Sequence, residues 1–249
     1  MQRSTLAALV AGLFTLPVQA EDIPLLDEIV VTATRTPLAL SSSLAATTVI
    51  SRDAIQQSQA IDLIALFEQQ AGINISRTGG EGKSTAIFVR GAAARHVLVL
   101  VDGVRAASAT TGEYDWNALS PDQIERIEIV RGPMSSLYGS DAIGGVIQIF
   151  TRRAAAPGMK VTLGSRNTRA LDLTLGGGEQ WRYSLEAGRQ STDGLPTFSS
   201  DSISYGFNRN HLSFGIDGKL TADLALDARL AQSWGRNQQD ALTGDNDYK

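Results

Sequence analysis

The sequence contains no cysteine and only two histidines, His96 and His211, in 249 residues. The absence of cysteine excludes a disulfide framework, a cysteine-based zinc site and a thiol nucleophile. Two histidines leave little material for a histidine-rich metal site or for Ser-His-Asp catalysis, and we predict that the protein is not an enzyme. Acidic residues (26) exceed basic ones (22), and this net charge of −4 argues against a nucleic-acid partner.

Long apolar runs are also missing, because no stretch after the N-terminal segment approaches the ~20 residues that a membrane-spanning helix needs. Residues 1–20 combine Arg3, an apolar run over 6–16 and a final small residue, Ala20. This arrangement is typical of a secretory signal peptide, and the run is short for the alternative, a membrane anchor. The sequence therefore predicts a cleaved export signal over residues 1–20.

Residues 22–153 mix short strands, one helix and glycine-rich loops. The segment 51–70 has helical spacing of its apolar residues in its second half. Apolar runs at 86–90 and 96–101 predict short strands, and the second is apolar enough to be buried on both faces. This part of the sequence predicts a compact α+β domain.

Residues 159–249 change to long segments in which apolar and polar side chains alternate, as in 171–175, 181–187, 212–216 and 224–230. Such segments of about ten residues are typical of transmembrane β-barrel strands. A soluble β-sandwich alternates in the same way and is the alternative. Export and aromatic residues near the strand ends favour the antiparallel barrel.

The barrel that this pattern predicts is incomplete. Residues 159–249 have room for about five strands, whereas bacterial outer-membrane barrels close with eight or more. An open sheet edge is not stable in lipid, because its amides and carbonyls lack hydrogen-bond partners. We therefore expect the sequence to be the N-terminal part of a longer protein, with a truncated barrel.

Several stretches resemble the TonB-dependent outer-membrane receptors, in the order that the family has them. They are Asp27–Ala33, similar to the TonB box, and Ile87–Gly91, His96–Arg105, Ile124–Pro133 and Leu137–Ile147, similar to the plug domain. Within the family they are most similar to the cobalamin (vitamin B12) transporters, with siderophore and haem receptors more distant. The resemblance implies a periplasmic segment over 21–36 and a plug domain over 37–153. The plug would lie inside a 22-stranded barrel, of which 159–249 are the first strands.

The same resemblance implies location in the outer membrane of a Gram-negative cell and uptake of a scarce nutrient. The ligand would be cobalamin, or alternatively a ferric siderophore or haem. The implied partners are TonB with its inner-membrane energising complex and the outer-membrane lipid. The alternative from another class is a plug-like module that binds a ligand or relays a signal without transport.

The TonB contact implied by the resemblance consists of Asp27, Glu28, Ile29, Val30, Val31, Thr32 and Ala33. An extended, β-prone segment can add as a strand to the edge of a partner's sheet, with backbone hydrogen bonds supplying the affinity. The alternative is an ordinary first strand of the plug.

Arg90 and Arg131 each precede a glycine at an otherwise apolar strand end. A buried guanidinium is costly without a partner, so both require carboxylates if they are buried. The resemblance implies ionic contacts between these plug arginines and glutamates of the barrel wall. Solvated surface positions are the alternative.

Two polar, glycine-bearing loops, 77–85 and 106–117, are implied by the resemblance to face outward and to contact the ligand. Their candidate ligand-binding residues are Arg77, Thr78, Gly79, Gly80, Ser84, Thr85, Ala106, Ser108, Tyr114 and Trp116, the last two as aromatic stacking surfaces. Plain connecting loops are the alternative. None of the glycines has the spacing of a nucleotide-binding loop, so turn geometry explains them.

No cofactor is predicted apart from calcium. Five acidic residues, Asp193, Asp201, Asp240, Asp245 and Asp247, fall in two polar loops between the predicted strands. Carboxylates are the hard oxygen ligands that Ca²⁺ prefers, and the resemblance implies calcium in loops of this location. Solvated loop tips are the alternative, and the spacing departs from that of the family.

Overall fold

A computed structural model of the chain describes residues 30–31, 38–39, 45–153, 156–196 and 204–238. In these residues the strands form two five-stranded sheets, one in each half of the chain, and two two-stranded ladders.

The first half contains short elements. They are β1 (Val30–Val31), β2 (Leu38–Ala39), β3 (Ala46–Ile50), α1 (Arg52–Ser58), α2 (Leu63–Glu68), β4 (Ile73–Arg77), β5 (Thr85–Val89), β6 (Val97–Val101), β7 (Val104–Arg105), β8 (Ile124–Arg131), α3 (Ser135–Tyr138) and β9 (Gly145–Thr151). Its main sheet has the order β3-β8-β9-β6-β7, with β6 parallel to β9 and the other neighbours antiparallel. The remaining strands pair as β1-β2 and β4-β5.

The second half is an antiparallel meander in chain order. Its strands are β10 (Gly158–Leu163), β11 (Arg169–Gly177), β12 (Trp181–Leu195), β13 (Tyr205–Lys219) and β14 (Ala225–Asn237). We call the end with the turn 164–168 and the start of β13 the distal end, and the end with the turns 178–180 and 220–224 the proximal end.

The helical segment differs from the prediction, because two helices replace one. Ser51 caps α1 by accepting a hydrogen bond from the amide of Ala54 (3.3 Å), and Asp62 caps α2 through the amide of Ala65 (2.9 Å). Gln59 adopts a left-handed conformation (φ 51°) that ends α1. The prediction was wrong for the first half of the segment, which is also helical. Ser51 begins α1, Gln59 ends it, and the second N-cap at Asp62 begins α2. None of the helices in the described part has the length and apolar character needed to cross a membrane.

The core of the first half lies between its main sheet and α2. Leu63 and Phe67 of α2 are fully buried against the sheet. β6 contributes to both sides of that sheet, since Val97 and Val99 join the main core, whereas Leu98 and Leu100 pack with Ala142 and Val146 on the other face. The predicted burial of this strand on both faces is therefore confirmed.

The second sheet buries its polar face and exposes its apolar one. Leu173 and Phe214 are 44% and 45% exposed, whereas Glu186 and Arg209, on the face toward the first half, are 5% and 7% exposed. A soluble β-sandwich would bury the apolar face instead. An outward apolar face over a polar interior is the arrangement of transmembrane barrel strands, as the sequence predicted.

Candidate functional site

The loop between β4 and β5 reaches the distal end of the second sheet. Its ends are joined by the amide of Thr78, which donates to the carbonyl of Ser84 (3.1 Å). At its tip Gly82 has φ +78° and lies against Phe207 of β13, so that a Cβ atom here would overlap the aromatic ring. Only glycine suits both this conformation and this close approach. The tip of the loop is therefore shaped to contact the wall.

Lys83 fastens this loop to β14. Its side chain is 3% exposed, and its ammonium donates to the side-chain oxygen of Asn237 (2.9 Å) and to the carbonyl of Gln238. The ring of Tyr205 lies 5.6 Å from the ammonium and adds a cation–π contact. Burial lowers the pKa of Lys83.

Arg209 of β13 holds the second candidate loop. Its guanidinium donates to the carbonyls of Asn117 (2.8 Å) and Leu119 (3.1 Å) and to the side-chain oxygen of Gln190 (3.1 Å). The side-chain amide of Gln190 in turn donates to the carboxylate of Glu81 in the first loop (2.7 Å). One hydrogen-bonded network therefore joins both predicted ligand loops to the inner face of the wall.

A cavity of about 370 Å³ lies beside this network, between α2 and the β10–β11 turn. The plug lines it with Ile61, Ala65 and Glu81, and the wall closes it with Thr162 and Leu195. The cavity places Glu81 in a mostly apolar setting, and burial, followed by repulsion from Asp62, raises the pKa of Glu81.

Glu81 is expected to make the protein less stable as the pH rises. Its pKa is higher in the folded than in the unfolded state, so the unfolded state ionises first and folding loses free energy as the pH climbs through the folded pKa. Glu81→Gln keeps an acceptor for Gln190 and removes this loss. We expect the variant to be as stable as the wild type at about pH 4 and more stable than the wild type at neutral pH. Urea unfolding of the full-length protein in detergent measures both stabilities.

The matched control for this experiment is Glu125→Gln, at an exposed carboxylate of the plug. It should leave the difference in stability between the two pH values unchanged. Parallel pH curves for Glu81→Gln and the wild type would contradict the burial argument.

The structure separates the predicted ligand residues into exposed and internal ones. Thr78 and Ser84 are exposed at the loop, whereas Arg77 is occupied by an ion pair with Asp62 (2.6 Å). Ser108 accepts hydrogen bonds from the amides of two following residues and stabilises its own turn. The remaining loop candidates, Gly79, Gly80, Thr85 and Ala106, are partly buried. Ligand contact by these residues stays a prediction.

The two aromatic candidates are core residues. Trp116 is 6% exposed and meets Phe67 edge to face, with ring centroids 5.1 Å apart. Tyr114 packs edge to face on Trp116 (4.9 Å), and burial raises its pKa. The expectation that both rings are exposed stacking surfaces is therefore corrected, since they close the apolar core above α2.

Arg90 and Arg131 lie close together at the ends of β5 and β8. Arg90 is exposed, whereas Arg131 is 8% exposed and donates to the hydroxyl of Thr48 (2.7 Å). Burial and the neighbouring Arg90 lower the pKa of Arg131. In the described residues neither arginine forms an ion pair, and the Nε atom of Arg131 is buried without a partner. The contact with wall glutamates stays a prediction.

Parts of two other predictions lie outside the described residues. Of the TonB segment, only Val30 and Val31 are described, and they pair with Ala39 and Leu38; Asp27, Glu28, Ile29, Thr32 and Ala33 lie outside. Of the calcium candidates, Asp193 alone is described, and its carboxylate accepts from the side chain of Asn167 (2.6 Å). The described part of the chain holds no cluster of three acidic or histidine side chains that could bind a metal ion. Asp201, Asp240, Asp245 and Asp247 lie outside the described residues, so calcium binding stays a prediction.

The residues that fasten the plug loops were missed by the sequence analysis. Lys83, Gln190, Arg209 and Asn237 belong to no motif. The sequence contained one signal for two of them: Gln190 and Arg209 are at the alternate positions that form the polar face of their strands. A polar face alone does not tell which side chains meet a particular loop.

The first half of the chain is an α+β domain that polar contacts hold against the inner face of a sheet whose outward face is apolar. This arrangement defines the class of protein. The family model described as the TonB-dependent Receptor Plug Domain matches residues 39–146. The chain belongs to the TonB-dependent receptors, and the predicted fold of a plug followed by antiparallel barrel strands is confirmed.

The particular relatives are transporters and receptors. Over its whole length the chain is 36% identical to the "Vitamin B12 transporter BtuB" of Vibrio cholerae, and it spans 43% of that protein. The siderophore receptor PirA of Acinetobacter baumannii has a TM-score of 0.64 at 22% identity, covering 84% of this chain and 34% of PirA. The ferric enterobactin receptor PfeA of Pseudomonas aeruginosa has a TM-score of 0.61 at 22% identity, covering 78% and 34%. At this identity the two solved structures show the fold alone.

Proposed function

We propose that the protein containing this chain is an outer-membrane receptor that binds cobalamin at the distal end of its barrel and imports it with energy from TonB. The observation that carries the proposal is the similarity to a vitamin B12 transporter over the entire chain. The exposed plug loop with Thr78 and Ser84, held at the distal end of the wall, is the proposed point of ligand contact.

The contacts between plug and wall suit a plug that has to move. Glu81, Lys83 and the carbonyls of Asn117 and Leu119 meet wall side chains through hydrogen bonds rather than through an apolar core. When such a contact opens, each hydrogen bond is replaced by hydrogen bonds to water at a limited net cost, roughly 1.5–3 kcal/mol where one group is charged, whereas separating apolar surfaces costs free energy in proportion to their area. A pull from TonB on the N-terminal segment can therefore displace the plug loops without breaking the core around Phe67.

Ligand identity is tested by equilibrium binding to the full-length protein. We expect cyanocobalamin to bind and to be displaced by excess unlabelled cyanocobalamin but not by ferric enterobactin. Ser84→Arg adds bulk and charge to the exposed loop and should weaken binding at least about tenfold, which is about 1.4 kcal/mol. Ser140→Arg, at an exposed plug position outside the loop, is the matched control.

The outcomes separate the alternatives. Binding of the ferric siderophore in place of cyanocobalamin would replace the proposed ligand with an iron chelate. Binding without energised uptake into cells that contain TonB would favour a non-transporting receptor.

If the second sheet lies in the membrane, the cost of placing a charge on its outward face depends on how deep the position lies in the bilayer. Leu185→Arg places a guanidinium in the middle of the outward apolar face and should cost about 2–4 kcal/mol in lipid vesicles. Leu163→Arg, on the same face at the distal end, is the control and should cost about 0–1 kcal/mol. Urea unfolding of both full-length variants in vesicles provides the comparison. Equal costs at the two positions would contradict a membrane-embedded sheet.

A further inference from the structure

The charged residues on the outward face of the second sheet are gathered at one end. Across the register, the most distal row contains Leu163, Arg169, Ser191, Asn208 and Arg236, and the next contains Val161, Leu171, Arg189, Asn210 and Trp234. The rows below are apolar apart from Gln232. Among the described outward positions of β10–β14, the charged residues are therefore three arginines and Asp193, all at the distal end.

The three arginines form one exposed patch. Arg169, Arg189 and Arg236 are all exposed. Arg189 lies one strand from Arg169 and one row lower, a separation of about 8 Å between backbones from strand spacing and rise. In the described part of the chain no carboxylate forms an ion pair with any of the three, and Asp193 is engaged by Asn167. The patch thus has free guanidinium groups.

A polar cavity of about 660 Å³ lies at the distal edge between the arginines of the first row. Its lining includes Arg169 and Arg236, with Ser191 and Asn208 between them on the intervening strands, and one carboxylate, that of Asp193, which accepts a hydrogen bond from Asn167. Guanidinium, hydroxyl and carboxamide groups all donate hydrogen bonds, and two guanidiniums can grip phosphate oxygens in bidentate fashion. The cavity therefore offers a concentration of donors suited to an oxyanion.

The position of the patch selects a lipid as the source of that anion. On the same face, Leu171 and Trp234 lie in the row of Arg189 and Leu212 lies one row below, and they are exposed at 42%, 51% and 47%. A tryptophan at this level is typical of the boundary between headgroups and hydrocarbon. A molecule with acyl chains on the apolar rows would carry its headgroup at the arginines, whereas a free anion would gain nothing from the apolar surface.

We propose that Arg169, Arg189 and Arg236 form a docking site for the phosphate groups of an anionic lipid in the membrane leaflet at the distal end. The proximal end of the same face carries no charged residue on its described strand positions, so the site distinguishes one leaflet from the other. The proposal rests on the membrane placement of the sheet and not on which nutrient is carried.

The test uses the full-length protein, purified in a neutral detergent and stripped of lipid. It is titrated with dioctanoyl phosphatidic acid, with dioctanoyl phosphatidylcholine and with inorganic phosphate. Native mass spectrometry counts bound lipid, and the difference in tryptophan fluorescence between the protein and its Trp234→Phe variant reports on Trp234. We expect saturable binding of the phosphatidic acid only. Substituting all three arginines by glutamine should weaken it at least about tenfold, and substituting all three by lysine should weaken it less.

Two controls keep the result interpretable. Arg95→Gln removes one exposed charge from the plug and should leave lipid binding unchanged. Cyanocobalamin binding, measured on the same samples, reports separately on the proposed function, and circular dichroism reports on folding of the variants.

Three results would overturn the proposal: equal binding of phosphatidylcholine, undiminished binding by the folded triple-glutamine variant, or binding of inorganic phosphate as tight as that of the lipid. The last would assign the patch to a free anion. If the triple-glutamine variant fails to fold, Arg169→Gln and Arg236→Gln are measured singly, and undiminished lipid binding by both would have the same meaning.

Discussion

Proline in place of Val30 is expected to abolish energised uptake while leaving ligand affinity normal. Val30 pairs with Ala39 in the short β1-β2 ladder, so the backbone here adopts an extended conformation. We propose that TonB captures this segment by adding it to a sheet edge through backbone hydrogen bonds. Proline removes an N–H donor and restricts φ, and it therefore prevents a regular ladder.

The measurement pairs uptake of radiolabelled cyanocobalamin with equilibrium binding in whole cells. Val30→Ala keeps the N–H donor and should be mild, which separates the effect on the backbone from that of the side chain. Ligand affinity should survive in both variants, because the proposed ligand contacts lie in other loops. If the proline variant transports normally, the segment is an ordinary plug strand and the TonB assignment fails.

Arg209→Met is expected to loosen the plug more than any other single change on the inner wall. The substitution leaves the carbonyls of Asn117 and Leu119 and the side chain of Gln190 without their buried donor. Hydrogen bonds to charged groups contribute roughly 1.5–3 kcal/mol each, and unpaired buried acceptors add a desolvation cost. The three bonds share one guanidinium and do not add fully, so we expect a total loss of at least about 3 kcal/mol in the free energy that holds the loop to the wall.

Hydrogen exchange of the full-length protein in detergent measures this loss directly, since the amides of residues 106–119 should exchange faster. Arg189→Met makes the same substitution one strand away on the outward face, where the side chain is exposed, and should leave these amides unchanged. Equal effects of the two substitutions would mean that Arg209 does not anchor the loop.

Local pattern was enough to predict much of the architecture. The run at 96–101 predicted a strand buried on both faces, because after His96 it contains no polar side chain that requires water, and β6 has this burial. Alternation over 171–175 and 212–216 predicted strands, because successive side chains of an extended backbone point to opposite faces. The spacing of its apolar residues likewise predicted the second helix, α2. The N-cap at Asp62, which separates α2 from α1, was not predicted.

Only the tertiary structure decided which face of each strand is buried and which loop residues are available. Alternation is the same in a soluble sandwich and in a barrel, and it was the burial of Glu186 and Arg209 with exposure of Leu173 and Phe214 that separated them. Burial is a property of what packs against a residue, often from a distant part of the chain.

The loop residues show the same limit. From sequence, Trp116 in a glycine-bearing loop is a candidate stacking surface, and Lys83 is an ordinary surface lysine. In the folded chain Phe67 covers Trp116, and Asn237, which is 154 residues away, captures Lys83. The sequence by itself determined the family, the plug and the strand periodicity, because these depend on local spacing. The tertiary structure decided which groups join plug to wall and which cations stay free on the outward face, because these depend on strand register and on contacts between distant segments.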